Sequence, residues 1–247
     1  MPECLHPRKP EGDLYQCHCA AHPIPDPAGH HKMNCKNCGK KGAHDHVDHC
    51  MVAVAKSANV NYTNDKDLVP SHDDSNKKGD ALTTLTRDAW PQVLDFTMVH
   101  PYTGTGAWIP NAVQAAHNRK MEKHNRAYER QALSFIPCVL STYGALGDEF
   151  VRLLYILARR QAEIIINHHR PDDDYVQILG LCFAANKSKV GAAAARGMAM
   201  RALSCTKDGR RRIRSPSPNE FPQYLQQDLH ILGGPGISYA AVIASGA

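Results

Sequence analysis

Gln92-Val93-Leu94-Asp95-Phe96-Thr97-Met98-Val99-His100 is an apolar, strand-forming run with a single carboxylate in its middle. Side chains alternate faces along a strand, so Leu94, Phe96 and Met98 share one side, and Val93, Asp95, Thr97 and Val99 share the other. Burying an unpaired carboxylate costs at least several kcal/mol, so Asp95 calls for a partner or a metal ion. Fifteen residues earlier, Asp80 opens a second β-prone run, Ala81-Leu82-Thr83-Thr84-Leu85-Thr86. Two neighbouring strands that each offer one Asp make an oxygen-lined pocket suited to a hard divalent cation.

Downstream of this stretch, residues 101–110 carry the Pro and Gly of a loop. Asn111 is placed to cap a helix reaching about Leu133. That helix has a weak apolar face and a polar face with Arg119, Lys120, Lys123, Arg126 and Arg130. Such a face is by default solvated, but one or two of its cations pointing at the Asp pair would suffice for chemistry. Lys120 and Lys123 are three apart and are read as sharing a helical face. Residues 134–141 form a third strand, almost wholly apolar and therefore expected at the centre of a sheet, with Pro137 marking a bulge or a strand start. Asp148-Glu149 opens a strongly amphipathic helix that closes with His168-His169-Arg170-Pro171. Asp172, Asp173 and Asp174 cap a last helical region to about Leu203, interrupted by Gly180, Gly191 and Gly197. Upstream, Val47 to Val60 fits one short helix, and residues 59–76 read as a loop with an irregular strand near Leu68-Val69. The order strand, strand, helix, strand, helix is that of a small mixed α/β sheet flanked by helices.

The chain has 247 residues, enough for one or two domains with a real core, and a net charge of +5. Its Lys and Arg cluster at 119–123, 159–160, 187–189 and 210–214, a distribution that suits a polyanionic partner. No phosphate-binding Gly-rich loop or nucleophile elbow is present, which argues against nucleotide hydrolysis and acyl transfer. No apolar run is long enough to span a bilayer, so no membrane partner is expected. The nine Cys follow no signal-peptide-like segment, and a reducing, intracellular compartment is the expectation. The first fifty residues are rich in Pro, Gly, His and Cys and lack apolar periodicity, so a metal-stapled module is the physical solution for them. One four-ligand zinc set is Cys17, Cys19, His31 and Cys35. Another is Cys35, Cys38, one of His44, His46 and His49, and Cys50. The expected organisation is a zinc module over 1–50, an α/β domain over 51–205, and a disordered basic, Ser-Pro and Gly tail over 206–247.

Gly79-Asp80, thirteen intervening residues, Leu94-Asp95-Phe96-Thr97 and then Lys120-x-x-Lys123-His124 on a helix together resemble the restriction-like endonuclease domain of site-specific non-LTR retrotransposons, a branch of the PD-(D/E)xK nuclease superfamily. The flanks are similar as well. Asp26-Pro27-x-Gly29-His30-His31-x-x-x-Cys35 resembles the Cys-Cys-His-Cys knuckle that precedes that domain, and His44-Asp45-x-Val47 its Arg-His-Asp/Asn-x-Val motif. Phe135-Ile136-Pro137 and 142–147 resemble its Phe-Val-Pro and Glu-Thr-Phe-Gly-Gly segments. The likeness covers roughly residues 17–205 and includes no polymerase. Three positions depart from it: Gly79 stands where Pro or Ala is usual, Ala43 where Arg is, and His124 where Tyr is.

The resemblance implies a restriction-endonuclease-like fold and a Mg²⁺- or Mn²⁺-dependent DNA endonuclease. Asp80 and Asp95 would hold the metal and Lys120 would assist the chemistry, because Thr97 occupies the strand position where many superfamily members carry their Lys. Lys123, Arg119, Arg126 and Arg130 would hold the DNA backbone. The resemblance also implies structural Zn²⁺ on Cys17, Cys19, His31 and Cys35, a nuclear setting, and a separate reverse transcriptase or element RNA as a further partner. The alternative is a catalytically inactive, zinc-stabilised DNA-binding remnant of such an element.

Overall fold

The computed structural model describes residues 29–35, 40–72, 77–85 and 90–204. Cys17, Cys19, Cys38 and the 206–247 tail lie outside the described residues. Among the described residues the elements run α1 (His30–Asn34), α2 (Lys40–Ser57), β1 (Asn61–Thr63), β2 (Ser71–His72), β3 (Lys77–Lys78), β4 (Ala81–Thr84), β5 (Gln92–Val99), α3 (Ala112–Glu129), β6 (Ser134–Ser141), α4 (Asp148–His168) and α5 (Tyr175–Ser204). The molecule is a mixed α/β structure built on a four-stranded sheet of order β1-β4-β5-β6, with β2 and β3 forming a separate ribbon. β1, β4 and β5 are antiparallel neighbours, whereas β5 and β6 run parallel in full register from Gln92↔Ser134 to Val99↔Ser141. Parallel neighbours need a crossover, and α3 supplies it.

The alternation in β5 and β6 sorts the layers. Leu94, Phe96, Cys138 and Leu140 face one side and join Val47, Cys50, Met51 and Val54 of α2, the Phe150, Leu153, Leu154 and Leu157 stripe of α4, and Val190 of α5. Val93 and Phe135 face the other side, under Tyr128 of α3, with Val69 and Leu133 closing that smaller cluster. The sheet is therefore sandwiched between α2, α4 and α5 on one face and α3 on the other.

Several expectations from sequence need correction. β6 is the edge of the described sheet, not its centre; it is apolar because α3 and α4 cover its two faces. Its edge position is what tolerates Pro137, since the missing N–H leaves no neighbouring strand unpaired, and no bulge interrupts the register. α2 begins seven residues before Val47 and runs across residue 50, because its first turns make polar contacts instead of following an apolar stripe. Leu68-Val69 is a turn closed by two amides on the Asp65 carbonyl, and the unpredicted strands are Asn61–Thr63 and the two-residue pair Ser71–His72 and Lys77–Lys78. Asn111 adopts a left-handed conformation (φ 53°) and makes no side-chain cap. α3 stops at Glu129, short of Leu133, where Gln131 and Leu133 amides both turn onto the Tyr128 carbonyl. α5 is continuous through its glycines: packing against α2 and α4 outweighs the helix cost of about 1 kcal/mol per Gly.

Candidate active site

Pairing between β4 and β5 covers only Ala81↔Leu94, Leu82↔Val93 and Thr83↔Gln92. At Asp80 the two strands part. The Asp80 N–H still reaches the Leu94 carbonyl (2.7 Å), but the next acceptor for β5 is a side chain: Phe96 N–H donates to Asp80 Oδ2 at 2.7 Å. A carboxylate thus takes over a ladder position, and the carbonyls of residues 79 and 80 lie outside the β4–β5 pairing. Asp95 lies opposite in the register, on the sheet face away from Phe96, with the carboxylate of Asp80 within hydrogen-bonding reach.

Cationic side chains from three elements converge on this fork. Lys120 Nζ donates to Asp95 Oδ2 at 2.6 Å. It can do so because Ala116, Lys120, His124 and Ala127 form the stripe of α3 that faces the sheet, and the other three are buried. Arg119, Lys123, Arg126 and Arg130 fall on the outer side of the helix and are exposed. Lys120 and Lys123 therefore occupy different faces, and only Lys120 meets Asp95. His124 packs its ring on Phe135, with centroids 5.4 Å apart.

Asp80 is gripped by two residues that the sequence did not single out as its partners. His44, in the first turns of α2, brings Nε2 to 2.6 Å from Asp80 Oδ2, with Nδ1 3.3 Å from Asp45 Oδ1 and the ring edge-on to Phe96. Lys66, from the turn after β1, donates to the Gly79 carbonyl (2.8 Å), the Asp80 carbonyl (3.1 Å) and Asp80 Oδ1 (3.1 Å). Tyr128 completes the frame by accepting the Gly79 N–H on its hydroxyl at 3.0 Å.

The two carboxyls are pushed in opposite directions. Burial raises Asp80, but the bonds and charges of His44 and Lys66 outweigh it and bring that carboxyl down to about 2. Burial also raises Asp95, and the neighbouring Asp80 reinforces the rise against the pull of Lys120, so Asp95 ends above its ordinary value. His44 is raised: burial would lower it, and the Asp80 and Asp45 carboxylates overcome that. Paired carboxyls with separated proton affinities are a recurrent mark of a reacting site.

The donor set suits Mg²⁺ or Mn²⁺, which need one or two carboxylates and complete their shell with water and phosphate oxygens. Among the described residues no group of three or more His, Cys, Asp or Glu side chains is arranged to hold a metal ion by itself. The second zinc set has Cys50 and His49 on α2. Cys50 is fully enclosed in the main core, and burial pushes its thiol up to about 12, while His49 Nδ1 sits 2.6 Å from the Asp45 carbonyl. From the first set, His31 and Cys35 stand one turn apart at α1, where the Cys35 N–H donates to the His31 carbonyl at 2.7 Å. No family model matches the chain, and no curated protein matches it.

Proposed function

We propose that this protein is a metal-dependent DNA endonuclease of the restriction-like type, with Asp80, Asp95 and Lys120 as its reacting residues. The observation that carries the reading is the fork between β4 and β5, where two carboxylates and Lys120 meet from separate elements although 15 and 25 residues separate them in sequence. On this reading the four-stranded mixed sheet with helices on both faces is a restriction-endonuclease-like core.

A divalent cation held by Asp80 and Asp95 would polarise a phosphoryl oxygen and make its bound water a better nucleophile. The chain's own groups do the rest. Lys120 Nζ, 2.6 Å from Asp95, would stabilise the negative charge that develops on a phosphate bound at that metal. The Lys120 bond holds the Asp95 carboxylate in place against the burial and the Asp80 charge that raise it. The outer face of α3, with Arg119, Lys123, Arg126 and Arg130, holds the phosphate backbone without reading bases. Zn²⁺ on Cys17, Cys19, His31 and Cys35 would staple the segment before the core, since an imidazole and a thiolate one turn apart fit a tetrahedral site. The reading carries with it a nuclear setting and a reverse transcriptase or element RNA as companion.

One observation favours a second reading, an inactive DNA-binding remnant. His44, Lys66 and Lys120 already balance the charge of both carboxylates without any metal. Nicking of supercoiled plasmid by the purified protein separates the two: the endonuclease nicks with Mg²⁺ and not with EDTA, whereas the remnant binds the plasmid and leaves it supercoiled.

A further inference from the structure

Lys66 is used differently from Lys120. An ammonium group has three N–H donors and no acceptor. Lys66 directs its Nζ to three acceptors, the carbonyls of Gly79 and Asp80 and the Oδ1 of Asp80, at 2.8, 3.1 and 3.1 Å. Both carbonyls lie just before β4, beyond its last paired residue, Ala81. Lys120, by contrast, makes one side-chain bond, to Asp95, and touches no backbone of the fork. Lys66 also pins the carboxylate whose other oxygen receives Phe96 N–H and His44, so both Asp80 oxygens are fixed in direction.

We propose that Lys66 is a positioning residue: it holds the carbonyls of residues 79 and 80, just before β4, and so aims the Asp80 carboxylate across the fork at Asp95. This rests on the metal-dependent reading above and adds to it a residue outside the acidic pair and the α3 lysine. Its consequence has a counterintuitive sign. A cation whose charge alone mattered would repel a divalent ion, and removing it would tighten metal binding. A residue that orients a ligand carboxylate does the reverse, and its removal weakens metal binding although one positive charge is gone.

Mn²⁺ titration of the full chain followed by electron paramagnetic resonance reads this without reference to cleavage. Lys66 is more than half exposed, so its replacement leaves no buried cavity. Lys66→Met is expected to raise the Mn²⁺ dissociation constant by about tenfold, the scale of a lost charge-assisted bond. Lys66→Arg, which keeps the charge and some donors, falls between Met and the parent. Lys120→Met, which removes an equal charge from the other carboxylate, leaves the constant unchanged or lowers it. Melting temperatures measured alongside confirm that each variant is folded during the titration. If the parent binds Mn²⁺ and both Lys66 variants bind it as tightly or more tightly, the positioning role is overturned while the metal site stands. If the parent itself takes up no Mn²⁺ that Asp95→Ala abolishes, the metal-dependent reading falls, and the role of Lys66 falls with it.

Discussion

Gly79→Ala probes the fork at its tightest point. A Cβ built at Gly79 overlaps Val93 Cγ1 outright and lies 3.0 Å from the Leu94 carbonyl oxygen. Val93 cannot turn away: it is stiff at χ1, fully buried, and enclosed by Val69, Tyr128, Leu133 and Phe135. Nor can residue 79 retreat. Its N–H is on Tyr128 Oη at 3.0 Å, its carbonyl is on Lys66 at 2.8 Å, and the next N–H is on Leu94 at 2.7 Å. Overpacking of this kind costs about 1–3 kcal/mol. Losing a glycine also stiffens the unfolded chain, which returns about 0.4–1 kcal/mol. The net loss is about 1–2 kcal/mol, a fall in Tm of roughly 3–6 °C for a chain of this size. Urea unfolding followed by circular dichroism measures it, with Lys66→Met as a comparison that disturbs the fork without overpacking. Because the strain falls on the residue before Asp80, nicking should drop by more than the stability loss explains. A Gly79→Ala protein as stable as the parent or more so would show that Gly79 does not pack against Val93 and Leu94 in this way.

Lys120→Ala should lower the nicking rate by about 10²-fold with DNA affinity retained, as for loss of a transition-state contact worth roughly 3 kcal/mol; equal loss in both assays would assign Lys120 to binding. Lys123→Ala should weaken binding modestly and reduce the slope of log affinity against log salt by about one, measured by anisotropy over a salt series. Purification without chelator should leave about one equivalent of Zn²⁺ per chain, and elemental analysis showing less than about half would remove the zinc knuckle. His44 gains proton affinity on folding, so its pairing with Asp80 stabilises fully below the unfolded His pKa of about 6.5, and this contribution fades as pH rises through the raised folded value. The stability difference between parent and His44→Gln should therefore be larger at pH 5.5 than at pH 8.5, and an equal difference at both would break the assignment.

The parts legible in the sequence were those where one face of an element is buried and the other is not. β5 and β6 were placed by their alternating and apolar runs, and α4 by its Phe150, Leu153, Leu154 and Leu157 stripe. Position within the sheet was not legible, because an edge strand covered by α3 and α4 has the same composition as a central one. β1 was missed since Asn61-Tyr62-Thr63 has one aromatic between two polar residues; Tyr62 is held by a 2.6 Å bond from its hydroxyl to Asp48. Within the site, the strand carboxylate Asp95 announced itself by its apolar neighbours and Lys120 by the family resemblance. The three-residue spacing that suggested a shared face for Lys120 and Lys123 misled, since only Lys120 lies on the stripe facing the sheet. Lys66 left no local signal: it lies in a polar turn, and its partners are the Gly79 and Asp80 carbonyls and the Asp80 carboxylate, 13 and 14 residues away. His44 was read among zinc candidates because Cys and His crowd that segment, and only the fold brings it to Asp80.

The most direct test compares the parent with Asp95→Ala for nicking of supercoiled DNA over a Mg²⁺ series, with DNA affinity measured on the same preparations. The endonuclease reading predicts Mg²⁺-dependent nicking by the parent, its loss in Asp95→Ala, and DNA affinity retained by both. A parent that binds DNA but nicks no faster than Asp95→Ala at any Mg²⁺ concentration would contradict it.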